Sequence, residues 1–95
     1  MAAYELSKEA DKDFAEIFNY GIEQFGLAQA LTYQNGMAER LNELAKQPKL
    51  YPTIDHIREG YRRSTYGSHS IYYRIEPNRI IIVRILSKQD CTKAF

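Results

Sequence analysis

One histidine, three arginines and four tyrosines crowd the stretch GYRRSTYGSHSIYYRI, Gly60 to Ile75. These residue types are those an RNA-cleaving site would use. Such a site needs a base for the 2′-hydroxyl, an acid for the leaving oxygen and cations around the transferring phosphate. His69 is the candidate base. Arg58, Arg62, Arg63, Arg74, Arg79 and Arg84 are candidate phosphate cations, because a planar guanidinium fork suits phosphate oxygens. Tyr66, Tyr72 and Tyr73 offer hydroxyls, but an ordinary tyrosine titrates near pH 10 and is a poor base at neutral pH. Glu59, Glu76 and Asp90 fall in turns or at element ends and read as solvated. Cations are plentiful, and a proton-transfer pair is not evident. The structural alternative for His69 is a side chain bonded to the backbone of its Gly67-Ser68 turn.

Other chemistries are less well supported. His56 and His69 lack the CxxC or HExxH spacing of a metal site. No glycine-rich phosphate loop is present, so no cofactor is expected. Cys91 is the single cysteine, which excludes an internal disulfide. The opening MAAYELSKEA does not read as a secretory signal, and no apolar run approaches the roughly 20 residues that span a bilayer. A soluble, cytoplasmic protein is the expectation.

The chain's 95 residues fit one domain. Its net charge of +1 conceals an asymmetry. Residues 1–57 carry five Lys/Arg against nine Asp/Glu, and residues 58–95 carry eight against three. A sheet that gathers the second set would attract nucleic acid or an acidic protein segment, or would simply carry arginine on its solvated face. There are eight tyrosines and no tryptophan. Such rings suit an interface or a small core whose hydroxyls reach water.

The elements that must position these groups follow from periodicity. Residues Ala3 to Leu6 alternate as a short strand. Ser7 can cap a helix, with Glu9 and Asp11 in its first turn. Ala10, Phe14, Ile17, Phe18, Gly21 and Phe25 form one apolar stripe, with Lys12, Asp13, Glu16 and Glu23 placed elsewhere on the circumference. Gly26 stops the run. A second helix carries Leu27, Leu31, Ala38, Leu41, Leu44 and Ala45 on one side, with Met37 beside them, and ends at Pro48. Gly36 costs this helix about 1 kcal/mol unless it permits a close approach. The period then changes to two. Tyr61–Tyr66, Ser70–Glu76 and Arg79–Leu86 read as three strands joined by Gly67-Ser68 and Pro77-Asn78 turns.

A two-residue turn between Glu76 and Arg79 sets Ile75 opposite Ile80, Tyr73 opposite Ile82 and Ile71 opposite Arg84. The other face then holds Tyr72, Arg74, Ile81, Val83 and Ile85. The predicted fold is α+β, with order β-α-α-β-β-β. A helical hairpin packs on one face of a small, mostly antiparallel sheet, and the first strand lies beside the last.

The segments HIREGYRRSTYGSHSIYYRI and IIIVRILSKQD resemble the ParE toxins of the RelE/ParE toxin–antitoxin superfamily. The likeness covers nearly the whole chain. It includes LSKEADKDFAEIFNY, the residues Gly60, Arg62, Gly67, His69, Ile71 and Tyr73, and the Ile82 to Leu86 ending. The resemblance implies a plasmid- or chromosome-borne toxin that poisons DNA gyrase without a catalytic site of its own. It also implies neutralisation by a ParD-like antitoxin, through which operator DNA is contacted indirectly. Arg58, Arg62, Arg63, Arg74, Arg84 and Lys88 are then candidate contacts to antitoxin or gyrase, with Arg84 to Phe95 the segment favoured for gyrase. The alternative is the RelE branch, ribosome-dependent mRNA endoribonucleases, in which His69, Arg62 and Arg84 would be catalytic. Its C-terminal acid–base residue has no match at Phe95, and Lys49 alone could stand for its lysines. A relative that keeps only antitoxin binding is a third reading.

Overall fold

A computed structural model describes residues 3–55 and 58–87 of the chain. Its elements are β1 (Tyr4–Leu6), α1 (Lys8–Phe25), α2 (Leu27–Lys46), β2 (Tyr61–Tyr66), β3 (His69–Ile75) and β4 (Ile80–Ser87). The sheet runs β1-β4-β3-β2, with β1 parallel to β4 and the other pairs antiparallel. This is the predicted α+β topology. β2 has the predicted bounds, and β3 and β4 each shift by one residue.

Ser7 joins the first strand to the first helix. Its side chain accepts a bond from the Ala10 amide at 3.0 Å, capping α1. The same hydroxyl donates to the Val83 carbonyl at 2.8 Å, and the Ser7 amide donates to the Ile82 carbonyl at 2.9 Å. The cap therefore also ties the start of α1 to β4. Gly26, with φ of 89°, is the single residue between the helices. A side chain there would be strained, so glycine is what allows so short a link.

The main core lies between the hairpin and one face of the sheet. Ala10, Met37, Leu41 and Leu44 meet Ile71, Tyr73, Ile80, Ile82 and Ile85. The buried face of α2 differs from the predicted one. Leu27 and Leu31 are 56% and 42% exposed, while Ala30 is buried with Met37, Leu41 and Leu44. The true stripe is turned by about 60° on a wheel of 3.6 residues per turn. The reason is the contact with α1. A Cβ at Gly21 would lie 3.3 Å from Ala30 Cβ, so the helices meet at two small residues rather than at the leucines.

The predicted register of β3 and β4 holds for Ile75–Ile80 and Tyr73–Ile82, then slips. Val83 is an extra residue on β4. Tyr72 consequently faces Arg84, and Ile71 faces Ile85 rather than Arg84. The bulge moves Ile85 from the face predicted to hold Tyr72 into the main core with Ile71 and Tyr73. The outer face is partly covered. Ile54 packs on Tyr72 and Leu86, with Tyr61 alongside. Its segment is held by the Thr53–Arg62 bridge and by the Ile54 amide donating to the Tyr61 carbonyl at 2.8 Å. Among the described residues no helix is long and apolar enough to cross a membrane.

Candidate functional site

His69 opens β3 directly after the Gly67-Ser68 turn. Gly67 has φ of 57°, as the first central residue of a type II′ hairpin turn requires. Tyr33 of α2 lies over this turn. A Cβ on Gly67 would come within 2.6 Å of its hydroxyl, so glycine also makes room for the ring. The Tyr33 hydroxyl sits 3.0 Å from the Tyr66 carbonyl oxygen and 2.7 Å from Nδ1 of His69. The Tyr33 ring is tilted against both neighbours, 5.2 Å from the Tyr66 centroid and 5.6 Å from that of His69. Burial pushes His69 below its usual value near 6.5, which favours the neutral ring. Burial likewise pushes the Tyr33 phenol up. The turn backbone is thus held by Tyr33, and His69 is bonded to Tyr33 rather than to the turn backbone.

Behind this cluster the hairpin leaves an apolar cavity of about 280 Å³. Its wall includes Phe14, Phe18, Phe25, Ala30 and Met37, with His69 and Ser68 at the sheet side. Phe25 and Tyr20 on its rim are 62% and 60% exposed.

Arg84 stands in a second cluster. Its Nε donates to Asp13 Oδ2 at 2.8 Å and its Nη2 to Oδ1 at 3.2 Å. Oδ2 also accepts the Ile85 amide at 3.1 Å. The Asp13 hydrogen bond is the main cause raising the Arg84 guanidinium above its ordinary value. Asp13 is buried, contrary to its predicted place away from the apolar stripe. The signal was available, since Asp13 falls between Ala10 and Ile17 at helical spacing, opposite a strand that carries one arginine among aliphatics.

Arg62 is engaged elsewhere. Its Nη1 donates to the Tyr51 carbonyl at 2.6 Å, and the facing Tyr73 hydroxyl donates to the Pro48 carbonyl at 2.7 Å. Together they pin the loop after α2 to the sheet. His69 pairs with Tyr66, four residues along β2 from Arg62. At about 3.3 Å per residue this separates the two backbone positions by about 13 Å. Arg84 lies three residues from Ser87, the β4 partner of His69, or about 10 Å. The structure therefore does not gather His69, Arg62 and Arg84 into one cluster.

The remaining predicted contacts are distributed around the sheet. Arg74 bonds Glu76 through Nε at 3.2 Å, and Arg79 pairs with Glu5 at 3.2 Å and with Glu76 at 3.6 Å. Glu76, predicted to be solvated, is thus shared by two arginines. Arg58 stacks on Tyr61 with 5.8 Å to the ring centroid. Arg63 projects from β2, the edge strand, and is half-buried. Lys88, His56, Asp90 and the tail beyond Ser87 lie outside the described residues. Sequence reasoning also passed over Arg40. Its Nη1 donates to Ser64 Oγ at 2.9 Å and to the Thr65 carbonyl at 2.8 Å, with its guanidinium 5.4 Å from the Tyr66 centroid. Nothing in the local pattern of α2 marks this long-range staple.

A helical hairpin on a β1-β4-β3-β2 sheet is the architecture of the RelE/ParE toxins. The fold is shared with a chain of the chromosomal ParDE toxin–antitoxin system of P. aeruginosa, at a TM-score of 0.80 and 20% identity over 92% of this chain and 96% of that one. A chain of the toxin–antitoxin complex RelBE2 from Mycobacterium tuberculosis is more distant, with a TM-score of 0.58 and 17% identity, covering 92% of this chain and 98% of that one. The family profile described as ParE toxin of type II toxin-antitoxin system, parDE, matches residues 4–90. Toxin ParE1 of Caulobacter vibrioides is 33% identical over 94 residues, 99% of this chain and 97% of that protein. Toxin ParE1 of Mycobacterium tuberculosis is 31% identical over 87 residues, 90% of this chain and 89% of that protein. The chain belongs to the ParE toxin family of the RelE/ParE toxin–antitoxin superfamily.

Proposed function

We propose that this ParE-family chain is a toxin that acts by binding DNA gyrase, without chemistry of its own, and that a ParD-like antitoxin neutralises it. The gyrase target is the expectation attached to the family. The observation that carries the non-catalytic part is the separation of the three residues a ribonuclease would need, with both arginines already engaged. Arg84 is held by Asp13, Arg62 by the Tyr51 carbonyl, and His69 by Tyr33, at three separate places on the sheet. A guanidinium paired with a buried carboxylate is neutralised, and its worth to a transferring phosphate falls accordingly.

The antitoxin reading is supported by the ParDE system to which the similar P. aeruginosa chain belongs. It is also supported by the uncovered apolar groups at the hairpin, Tyr20, Phe25, Leu27 and Leu31. An antitoxin segment that orders on binding can offset its lost entropy by covering such surface.

The test is purified toxin with gyrase and supercoiled plasmid. The expected result is trapped cleavage complexes or lost supercoiling, with cellular mRNA intact. Cut transcripts with untouched gyrase would replace this reading with the ribonuclease one.

A further inference from the structure

The cavity under the hairpin has a chemical signature beyond being apolar. Among the described residues its wall holds no Asp, Glu, Lys or Arg, so it suits a neutral occupant. Phe14, Phe18 and Phe25 offer ring edges and faces, and the flexible thioether of Met37 adapts to an inserted ring. At about 280 Å³ it exceeds the roughly 150 Å³ that accepts a benzene ring elsewhere, leaving room for a bicyclic one.

Gln29, Gln34 and Ser68 add polar groups to its wall, and His69 is the one whose tautomer the hydrogen-bond geometry assigns. Tyr33 has a single hydroxyl proton, and the Tyr66 carbonyl can only accept it, at 3.0 Å. Nδ1 of His69 lies 2.7 Å from the same hydroxyl oxygen. Both contacts are hydrogen bonds at once only if Nδ1 carries a proton and donates to that oxygen. In the neutral ring Nε2 then keeps its lone pair. Ser68 Oγ is 3.5 Å from Nδ1 and does not engage Nε2. Among the described residues Nε2 has no partner and is open to solvent.

We infer that the cavity is a receptor for one aromatic side chain bearing a ring N–H or O–H, tryptophan or tyrosine, on the partner polypeptide, whose donor bonds Nε2 of His69. An aliphatic or phenylalanine side chain would fill the space but would displace water from Nε2 without replacing its hydrogen bond. Burial keeps the ring neutral near pH 7, which preserves Nε2 as an acceptor. Tyr33 is the positioning residue, because it fixes the tautomer. The identity of the partner as an antitoxin rests on the function proposed above. The chemistry of the pocket does not.

The probes are indole and 1-methylindole, which differ by the N–H donor, titrated into the full ¹⁵N-labelled chain and followed by NMR. The expected result is that indole shifts resonances around Phe18, Met37 and His69 and binds about five- to tenfold more tightly than its methylated analogue. Tyr33→Phe should reduce that preference and change the His69 ring nitrogens from the Nδ1–H pattern. His69→Phe should abolish the preference while both probes still bind. Equal binding of the two probes to the unchanged chain, or shifts located away from the hairpin, would overturn the inference without any variant having to fold. Gyrase trapping reads out separately. Discrimination without trapping removes the gyrase reading and keeps the pocket, and trapping without discrimination does the reverse.

Discussion

Two of the polar anchors that join the helical hairpin to the sheet are built on opposite plans. At β4, Asp13 of α1 receives two bonds from Arg84 and one from the Ile85 amide. At the β2–β3 turn, Tyr33 of α2 supplies one neutral hydroxyl between Tyr66 and His69, beside an open cavity. The first anchor follows the strand bulge and leaves its carboxylate fully engaged. The second leaves a ring nitrogen and an apolar hollow unused. The contrast assigns stability to one end of the molecule and recognition to the other.

Removing the carboxylate is the hardest test of that division. Asp13→Ala leaves the Arg84 charge and the Ile85 amide without their partner, and should cost about 2–4 kcal/mol in denaturant unfolding. Replacing both residues, as in Asp13→Leu with Arg84→Met, should recover much of the loss. If the single variant is no less stable than the parent, the anchor is not what holds β4 to α1.

The second test moves to the α2 side. Gly36 lies against the Tyr66 hydroxyl, and a methyl there would overlap it. Gly36→Ala should therefore destabilise by about 1–2 kcal/mol, although alanine gains about 1 kcal/mol in helix propensity. An increase in thermal midpoint would show that Tyr66 swings aside freely, and the close packing claimed around the turn would be wrong.

The loop between α2 and β2 gives a pH test. Burial pushes the Tyr73 phenol up to about 12, against 10 in an unfolded chain. The folded state thus keeps its proton longer. Stability should be fully present below pH 10 and decline as pH rises from 10 towards 12, with loss of the bond to Pro48. Tyr73→Phe should remove that slope, at a cost of about 1 kcal/mol at neutral pH. An unchanged alkaline slope in the variant would place its origin elsewhere.

The two anchors also differ in how far they could be read in advance. Element type and order were legible because hydrophobic period changes from helical to alternating after Pro48, and because Gly26 and Gly67 stand where positive φ is needed. The β3–β4 register was legible up to Ile82. Val83 is as apolar as its neighbours, so no pattern betrays the extra residue, and every assignment beyond it reversed. Asp13 was placed by its charge instead of by its position within the stripe. The exposed Leu27 and Leu31 drew the α2 face away from Ala30. His69 stands out in the sequence as the only histidine of the strand region. Its partner is 36 residues away on another element, and periodicity carries no information across such a separation.

The smallest effect concerns His69 itself and asks whether the open anchor contributes to stability at all. The folded ring binds its proton less readily than the unfolded one, because burial disfavours the charged form. Above about pH 6.5 both states are neutral and the residue adds no pH dependence. As pH falls below that value the unfolded chain takes up the proton first, so stability should fall until the folded ring is protonated as well. Among the described residues no Asp, Glu, Lys or Arg lines the cavity to offset the charge. His69→Gln should flatten this acid slope while changing stability little at pH 7. A variant that loses stability equally at pH 7 and pH 5 would make the residue a structural tie like Asp13, and the division between the two ends of the molecule would fail.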